Sequence, residues 1–350
     1  WQAAAGGGEV RQLHYVRAAL EPRRGVMLAP VVHSKFVPRD RPPASPSPLE
    51  RVMLIPDAQV GHRRVRRGGR EVLSPMHDRA AMSCAWEVAT RAQPSTIILL
   101  GDMLDLTELT TRYPKPIAVL GTAQAAVVEL AWWLRDLRER APAARVLYIE
   151  GNHEHRLHRL TVERAASLEG LQAVDDDRPA LSVARLLGLD ALGIEYVGPY
   201  GEDMWLWPES ASPVRVHHGA VVRTRGGATV AAQLAKQGGS ASLVGGHVHR
   251  VEIAWRTTHG PAGRQSRFAM SPGCLCRIDG AVPGVTTRPD WLQGWGWIAR
   301  DPERDRIYGA TVPIMDGRTV YRGDVVDAAP SDELLATVRA GCGLDDLAAS

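Results

Sequence analysis

From residue 51 onward the chain sets short, continuous apolar runs between longer amphipathic stretches. RVMLI (51–55), TIILL (96–100) and RVLYI (145–149) are apolar throughout and too short for helices. That is the pattern of strands buried on both faces. Between and after them, residues 76–92, 122–140 and about 154–168 place apolar residues at helical spacing. Alternating strand and helix predicts βαβ units on a largely parallel sheet. Further on, the predicted strands are VRVHH (214–218), ASLVGG (241–246), VEIAWRT (251–257), SRFAMS (266–271), GWGWIAR (294–300) and RIYGATV (306–312), with one helix near 229–238. No long helix is predicted beyond 250, so this half is expected to be sheet-rich and antiparallel.

The ends read differently. Residues 1–50 form an N-terminal arm, with a short helix predicted around 9–20 and a Pro/Ser linker, RPPASPSP (41–48). The main domain is expected over 51–325, followed by a C-terminal helix and tail over 326–350. The chain begins at Trp1 rather than methionine, so further residues are expected before it. No internal repeat is present.

Composition narrows the classes. No apolar run approaches the about 20 residues needed to span a bilayer, and GVMLAPVV (25–32) is flanked by arginines and a proline, so neither anchor nor signal peptide is expected. The cysteines, Cys84, Cys274, Cys276 and Cys342, are scattered. They form neither a disulfide framework nor a paired zinc module, which predicts a reducing, cytoplasmic setting. A net charge of +3 does not by itself make a nucleic-acid binder. Only Lys35, Lys115 and Lys236 are lysines, the other basic residues being arginine. Arginine suits bidentate phosphate contacts, although base composition alone produces the same bias.

Each predicted strand is followed by polar residues of one chemical kind. Asp57 and Gln59 follow the first, Asp102 and Asp105 the second, Asn152 and His153 the third. His217 and His218 close the fourth, and His247 and His249 follow the fifth. Ligands of open α/β sheets bind beyond the carboxyl ends of the strands, so these residues are expected to share one crevice. Carboxylate, imidazole and amide oxygen suit Mn²⁺, Fe or Zn²⁺. The donors outnumber what one tetrahedral ion needs, and two ions sharing a carboxylate account for the surplus. Singly, each of these residues reads more simply as a turn or a packed strand residue; the weight lies in the combination.

In order, D-x-Q, GDxxD, GNHE, HG and GHxH resemble the calcineurin-like metallophosphoesterase superfamily, over Asp57 to His249. PDAQVG and GGHVHR look most like members from bacteriophages and actinobacteria. The resemblance implies an α/β fold of the metallophosphoesterase type: a four-layer sandwich of two facing mixed sheets flanked by helices, with a dimetal site at strand C-terminal ends. It makes 51–325 a catalytic domain. It further implies that Asp57 and His249 hold one metal, that Asp102 bridges, and that Asn152, His218 and His247 hold the second. His153 would be the catalytic imidazole, oriented by Asp105, and a hydroxide held by the metals the nucleophile. Alternation along the strand lets at most one of His217 and His218 face the metals, and the place before glycine favours His218.

Two departures matter. Gln59 stands where the family usually has a histidine; its amide oxygen is a weaker donor to transition metals, which favours Mn²⁺, or Mg²⁺, over zinc. His62 is a less favoured substitute imidazole, three residues further on. GDMLDL and EGNHE also lack the arginines of the protein Ser/Thr phosphatase branch, which speaks against a protein phosphatase. The substrate is expected to be a phosphoester. Arg63, Arg64, Arg66, Arg67 and Arg70, on a flexible loop after the first metal strand, are candidates to grip a phosphate backbone, as are Arg250, Arg223 and Arg225. This leans toward phosphodiesters, with DNA or RNA among the substrates. The alternatives are a phosphomonoesterase on nucleotides or small phosphorylated compounds, and a recognition module without turnover. DWLQGWGW (290–297) reads first as core packing and second as a base-stacking surface.

Overall fold

The computed structural model describes residues 2–4, 10–12, 49–172, 174, 178–223, 227–236, 240–261, 263–282, 290–332 and 336. The Pro/Ser linker, Arg225 and most of the segments 9–20 and 326–350 lie outside them; where 10–12 is described it is a strand, which corrects the helix expected there. Two compact units are present, Trp1–Pro46 and Ser47–Ser350. Within the first, β1 (Gln2–Ala4) pairs antiparallel with β2 (Val10–Gln12).

The second unit runs in order through β3 (Glu50–Ile55), a hairpin of β4 (His62–Arg67) and β5 (Arg70–Pro75), α1 (Arg79–Ala92) and β6 (Thr96–Leu99). Next come α2 (Ala123–Arg140), β7 (Arg145–Ile149), α3 (His155–Arg164), α4 (Val183–Leu186), β8 (Ile194–Gly198), β9 (Met204–Leu206) and β10 (Val214–His217). Then follow α5 (Ala228–Lys236), β11 (Ser242–Gly245), β12 (Val251–Gly260), β13 (Gly263–Pro272), β14 (Gly294–Asp301) and β15 (Arg306–Pro313). A small hairpin of β16 (Arg318–Tyr321) and β17 (Asp324–Asp327) closes the described chain.

A six-stranded sheet has the order β15-β14-β3-β6-β7-β8, with β3, β6, β7 and β8 parallel and β14 and β15 antiparallel. A five-stranded sheet has the order β12-β13-β11-β10-β9. Here β10, β11 and β13 run parallel, and β9 and β12 are antiparallel edges. The antiparallel expectation for this half therefore holds for β12–β13 and β14–β15 and is corrected for β10, β11 and β13. The helix α5 and the β12 excursion supply the crossovers that parallel pairing needs.

The run of apolar residues on each central strand serves two cores. Met53, Ile55, Ile97, Leu99, Val146 and Tyr148 pack with Trp86 of α1 and Leu130, Trp133 and Leu134 of α2. The alternate residues Val52, Leu54, Ile98, Leu147 and Ile149 pack with Val214, Val216, Val244, Phe268 and Met270 of the five-stranded sheet. On that sheet's other side, Val230 and Leu234 of α5 meet Leu243 and Ala269. Alternation thus explains why these strands read as unbroken apolar runs. Helix α1 starts where the Asp78 carboxylate accepts from the backbone N–H groups of Ala80 and Ala81, both at 3.0 Å, a side-chain cap on two otherwise unpaired donors. Among the described residues no helix is long and apolar enough to cross a membrane.

Candidate metal centre

The ends of β3, β6, β7, β10 and β11 bring the candidate ligands together. His249 Nε2 lies 3.2 Å from Asp57 Oδ1, and the backbone N–H of His247 donates to both Asp57 oxygens at 2.9 and 3.1 Å. His218 Nε2 lies 3.2 Å from Asp102 Oδ2 and 3.2 Å from Asn152 Oδ1. Its Nδ1 donates to the Leu100 carbonyl at 2.8 Å, which leaves the Nε2 lone pair aimed into the cluster. His217 turns away and lines a neighbouring cavity. Two three-residue groups result, Asp57–Asp102–His249 and Asp102–His218–His247, and they share Asp102. Within each group the potential ligand atoms lie within 4.8 Å of one another.

The backbone is bent to make this possible. Asp57, Gln59, Asp102, His247 and His249 all have positive φ, between 24° and 67°. Each such non-glycine residue costs on the order of 1–3 kcal/mol, and strain of this kind concentrates at functional sites. Close approach also demands glycine. A Cβ on Gly101 would come within 2.7 Å of Gly151 N and 2.8 Å of His218 Nδ1, and one on Gly151 would overlap the Asp102 carboxylate.

Asp57 and Asp102 are fully buried, and the ion-pair partners recorded for them are imidazoles rather than guanidinium or ammonium groups. Burial opposes charge on His218, but the Asp102 carboxylate beside it pushes it up to about 10. Burial and the neighbouring His218 push His247 down to about 4. Gln59 reaches His249 through Nε2 at 3.3 Å, while its buried Oε1 has no partner. Two buried carboxylates without a guanidinium or ammonium partner among the described residues, inward imidazoles whose protons an ion would displace, and an orphaned amide oxygen fit a pair of divalent cations by charge and donor type. The residues of the first group fit one cation and those of the second another, with Asp102 common to both.

His153 stands at the edge of the cluster. Its Nδ1 lies 3.1 Å from Asp105 Oδ1 and 3.0 Å from the Asp105 carbonyl, and its Nε2 lies 3.6 Å from Asp102 Oδ2. Burial opposes its charged form, yet Asp102 and Asp105 together hold its pKa above the usual histidine value.

Three groups were missed by sequence reasoning. Glu154 is buried and accepts from the backbone N–H groups of Asp102, Leu104 and Gly151, each at 2.9 Å, and from the Tyr148 hydroxyl at 2.8 Å. It ties the β6 and β7 ends together, and its place directly after His153 was the available signal. Arg156 Nη2 lies 3.1 Å from His153 Nε2, and its Nη1 donates to the Asp105 carbonyl at 2.5 Å; at the start of α3, it carried no distinguishing signal. Cys276 Sγ lies 3.8 Å from His249 Nδ1.

The arginine candidates separate. Arg63, Arg64, Arg66 and Arg67 sit on β4, so the expected flexible loop is a hairpin, turned at Gly68 and Gly69. Arg64 donates to the Leu120 carbonyl at 2.9 Å and docks the hairpin on that turn. Arg66 and Arg67 are exposed near the tip, about 17 Å along the strand from its base. Arg250 is held by the Arg223 carbonyl at 2.7 Å and Asp290 at 2.8 Å rather than by the metal cluster. His62 turns to Glu129 at 3.0 Å, away from the position left by Gln59. Of the tryptophans, Trp295 is core, whereas Trp291 packs edgewise on His249 with ring centroids 4.2 Å apart. Beside His218 opens a cavity of about 540 Å³, lined in part by Arg215, His217, Arg223 and Lys236.

No protein-family model and no curated protein matches the chain. Solved structures with some similarity include YfcE, a phosphoesterase from E. coli, at 12% identity over 75% of this chain and 98% of that one, TM-score 0.32. The protein TT1561 of Thermus thermophilus aligns at 10% identity over 75% and 99%, TM-score 0.29. Haemophilus influenzae NAD nucleotidase, NadN, aligns at 9% identity over 86% and 63%, TM-score 0.29. Scores this low decide nothing about fold or activity, so the functional reading rests on the residues.

Proposed function

We propose that this chain is a metal-dependent phosphoester hydrolase with a dinuclear centre, its catalytic domain spanning 51–325. The observation that carries the reading is the pair of buried donor groups sharing Asp102. The two mixed sheets with a common core, and helices packed on their other sides, support the four-layer sandwich that the sequence motifs imply.

Asp57, Gln59 and His249 would hold one ion, and Asn152, His218 and His247 the other, with Asp102 between them. Mn²⁺ is the expected metal because the donors are oxygen and imidazole. When bound, the ions supply positive charge against the phosphoryl oxygens and make a water acidic enough to attack near neutral pH. The protein's own part is position and proton supply. Asp105 fixes the His153 ring through Nδ1, so Nε2 faces the cluster and can deliver its proton to the leaving oxygen. Asp102 and Asp105 favour the imidazolium that this step needs, against burial. Arg156, 3.1 Å from that nitrogen, places a guanidinium where a phosphoryl oxygen would arrive. Glu154 keeps the backbones of Asp102 and Gly151 at the spacing the cluster requires.

Phosphodiesters, nucleic acid among them, are the favoured substrates, supported by the exposed arginines Arg66 and Arg67 on a hairpin that leaves the site. A specific observation favours a second reading, a phosphomonoesterase on small phosphorylated compounds. The cavity of about 540 Å³ beside His218 has the volume of a small-molecule site and is lined by Arg223 and Lys236 as well as by the Arg215–Asp203 pair and Glu202. A recognition module without turnover has no use for the His153–Asp105 pair.

The test is a panel of Mn²⁺, Mg²⁺, Zn²⁺ and Ni²⁺ against bis-p-nitrophenyl phosphate, p-nitrophenyl phosphate, and single- and double-stranded DNA. Cleavage of the diester or DNA supports the favoured reading, and cleavage of the monoester alone selects the second. No turnover with any metal sinks both.

A further inference from the structure

A second donor set lies on the other side of the His249 ring. Cys274 and Cys276 follow β13 in an extended segment, where Cys274 bridges Gln293 and Cys276 bridges His77. The N–H of Leu275, between them, donates to the Asp57 carbonyl at 3.0 Å. Alternation sends Leu275 into the helix-side core and both cysteines the opposite way. There they form a small buried cluster with Met76 and Val282. Both thiols are fully buried.

His249 offers Nε2 to Asp57 at 3.2 Å and Nδ1 to Cys276 Sγ at 3.8 Å. One potential ligand atom from each of His249, Cys274 and Cys276 lies within 4.8 Å of the others. A tetrahedral ion about 2.3 Å from sulfur and about 2.0 Å from nitrogen spaces adjacent ligands roughly 3.5–3.8 Å apart. The Cys276–His249 separation therefore lies within a few tenths of an ångström of that edge. It is also long for a strong thiol–imidazole hydrogen bond.

We propose that Cys274, Cys276 and His249 Nδ1 form a separate site for one soft, thiophilic cation of the Zn²⁺ or Cu⁺ kind, with the Met76 thioether nearest in kind to serve as a fourth donor. The donor types decide the class. Two thiolates, a thioether and an imidazole select soft cations, whereas Asp57, Asp102 and Gln59 on the opposite face of His249 select hard ones. Binding to the metal-free protein releases the two thiol protons to solvent as the sulfur–metal bonds form, with the imidazole proton kept on Nε2 toward Asp57; where Nε2 also holds an ion, the ring gives up that proton too and bridges as an imidazolate. The occupant would also fix the His249 ring from behind, as partners of ligating histidines do. None of this requires the chain to be a hydrolase.

The test is a titration of the metal-free full-length protein with Cd²⁺, followed by thiolate-to-cadmium charge-transfer absorption. One equivalent is expected to saturate the band. Cys84→Ser with Cys342→Ser should keep it, and Cys274→Ser with Cys276→Ser should abolish it. X-ray absorption on the wild-type cadmium protein covers the case of a variant that fails to fold, and sulfur neighbours to the ion are expected there. A wild type without the band, a band that survives in the folded Cys274→Ser/Cys276→Ser protein, or an ion surrounded only by oxygen and nitrogen overturns the site. Mn²⁺ binding and phosphoester turnover are read separately, so their failure would leave this result standing.

Discussion

Two buried constellations of carboxylate and imidazole, His62–His77–Arg79–Glu129 and the Asp57–Asp102 cluster, differ in charge balance and in backbone conformation. In one, Glu129 of α2 accepts from His77 Nε2 at 2.6 Å, His62 Nε2 at 3.0 Å, and Arg79 Nε and Nη2 at 2.8 and 2.9 Å. Both its oxygens are taken, its charge is met by a forked guanidinium, and none of these four residues has a left-handed backbone. In the other, among the described residues, Asp57 and Asp102 share no guanidinium, and five residues are strained. The first closes on itself and fastens β4, α1 and α2. The second leaves its charge balance to the ions proposed to complete it. Burial and residue type alone do not separate structural clusters from functional ones; charge balance and backbone conformation do.

The largest expected effect strikes only the open cluster. His153→Ala should lower kcat by about 10²–10⁴-fold while leaving metal stoichiometry unchanged, as checked by steady-state kinetics beside metal counting. A variant as active as the parent removes His153 from the chemistry. Next comes the closed cluster. Glu129→Ala leaves Arg79 buried without its partner and should cost about 3–5 kcal/mol of stability. Denaturant unfolding measures this, and the folded fraction should still bind metal.

Acid sharpens the same contrast. Burial holds His77 below the usual histidine value despite Glu129, so below about pH 6.5 the unfolded chain takes up the proton first and stability falls. Burial works against charge on Glu129, but His77, His62 and Arg79 hold its carboxyl well below the usual range. Its contribution is present above about pH 4.3 and is lost as pH drops through its lower folded value. The Tm of the metal-free protein should therefore decline from pH 7 to pH 4, and decline more steeply in Glu129→Gln, which removes the carboxylate that raises the His77 pKa. A Tm that is flat across that range contradicts the closed network.

Smaller effects are expected at the margins of the open cluster. Gln59→His should tighten one metal by about tenfold, about 1.4 kcal/mol, in a metal-binding titration; unchanged affinity places Gln59 outside the donor set. Arg66→Ala and Arg67→Ala should each reduce the salt dependence of DNA binding by about one unit of slope, and an unchanged slope excludes the hairpin from substrate contact.

Much of this was readable from the chain because the physics was local. RVMLI, TIILL and RVLYI are unbroken apolar runs, since β3, β6 and β7 are buried on both faces, and the strand ends carry the polar residues that converge. What escaped depends on distant partners. Glu129 meets His62 across 67 positions and His77 across 52, so nothing near any of them announces the network. The β4–β5 hairpin hid because Arg63, Arg64, Arg66 and Arg67 interrupt the alternation that marks a strand. The parallel pairing of β10, β11 and β13 hid because short strands carry no mark of direction. Cys276 read as one of four scattered cysteines because its partner His249 lies 27 positions away.

The most direct test of the central claim is anomalous diffraction from crystals of the protein loaded with Mn²⁺. Two peaks are predicted on either side of the Asp102 carboxylate, one within reach of Asp57, Gln59 and His249 and the other of Asn152, His218 and His247. No ion at Asp102, or manganese bound only elsewhere, would contradict the account.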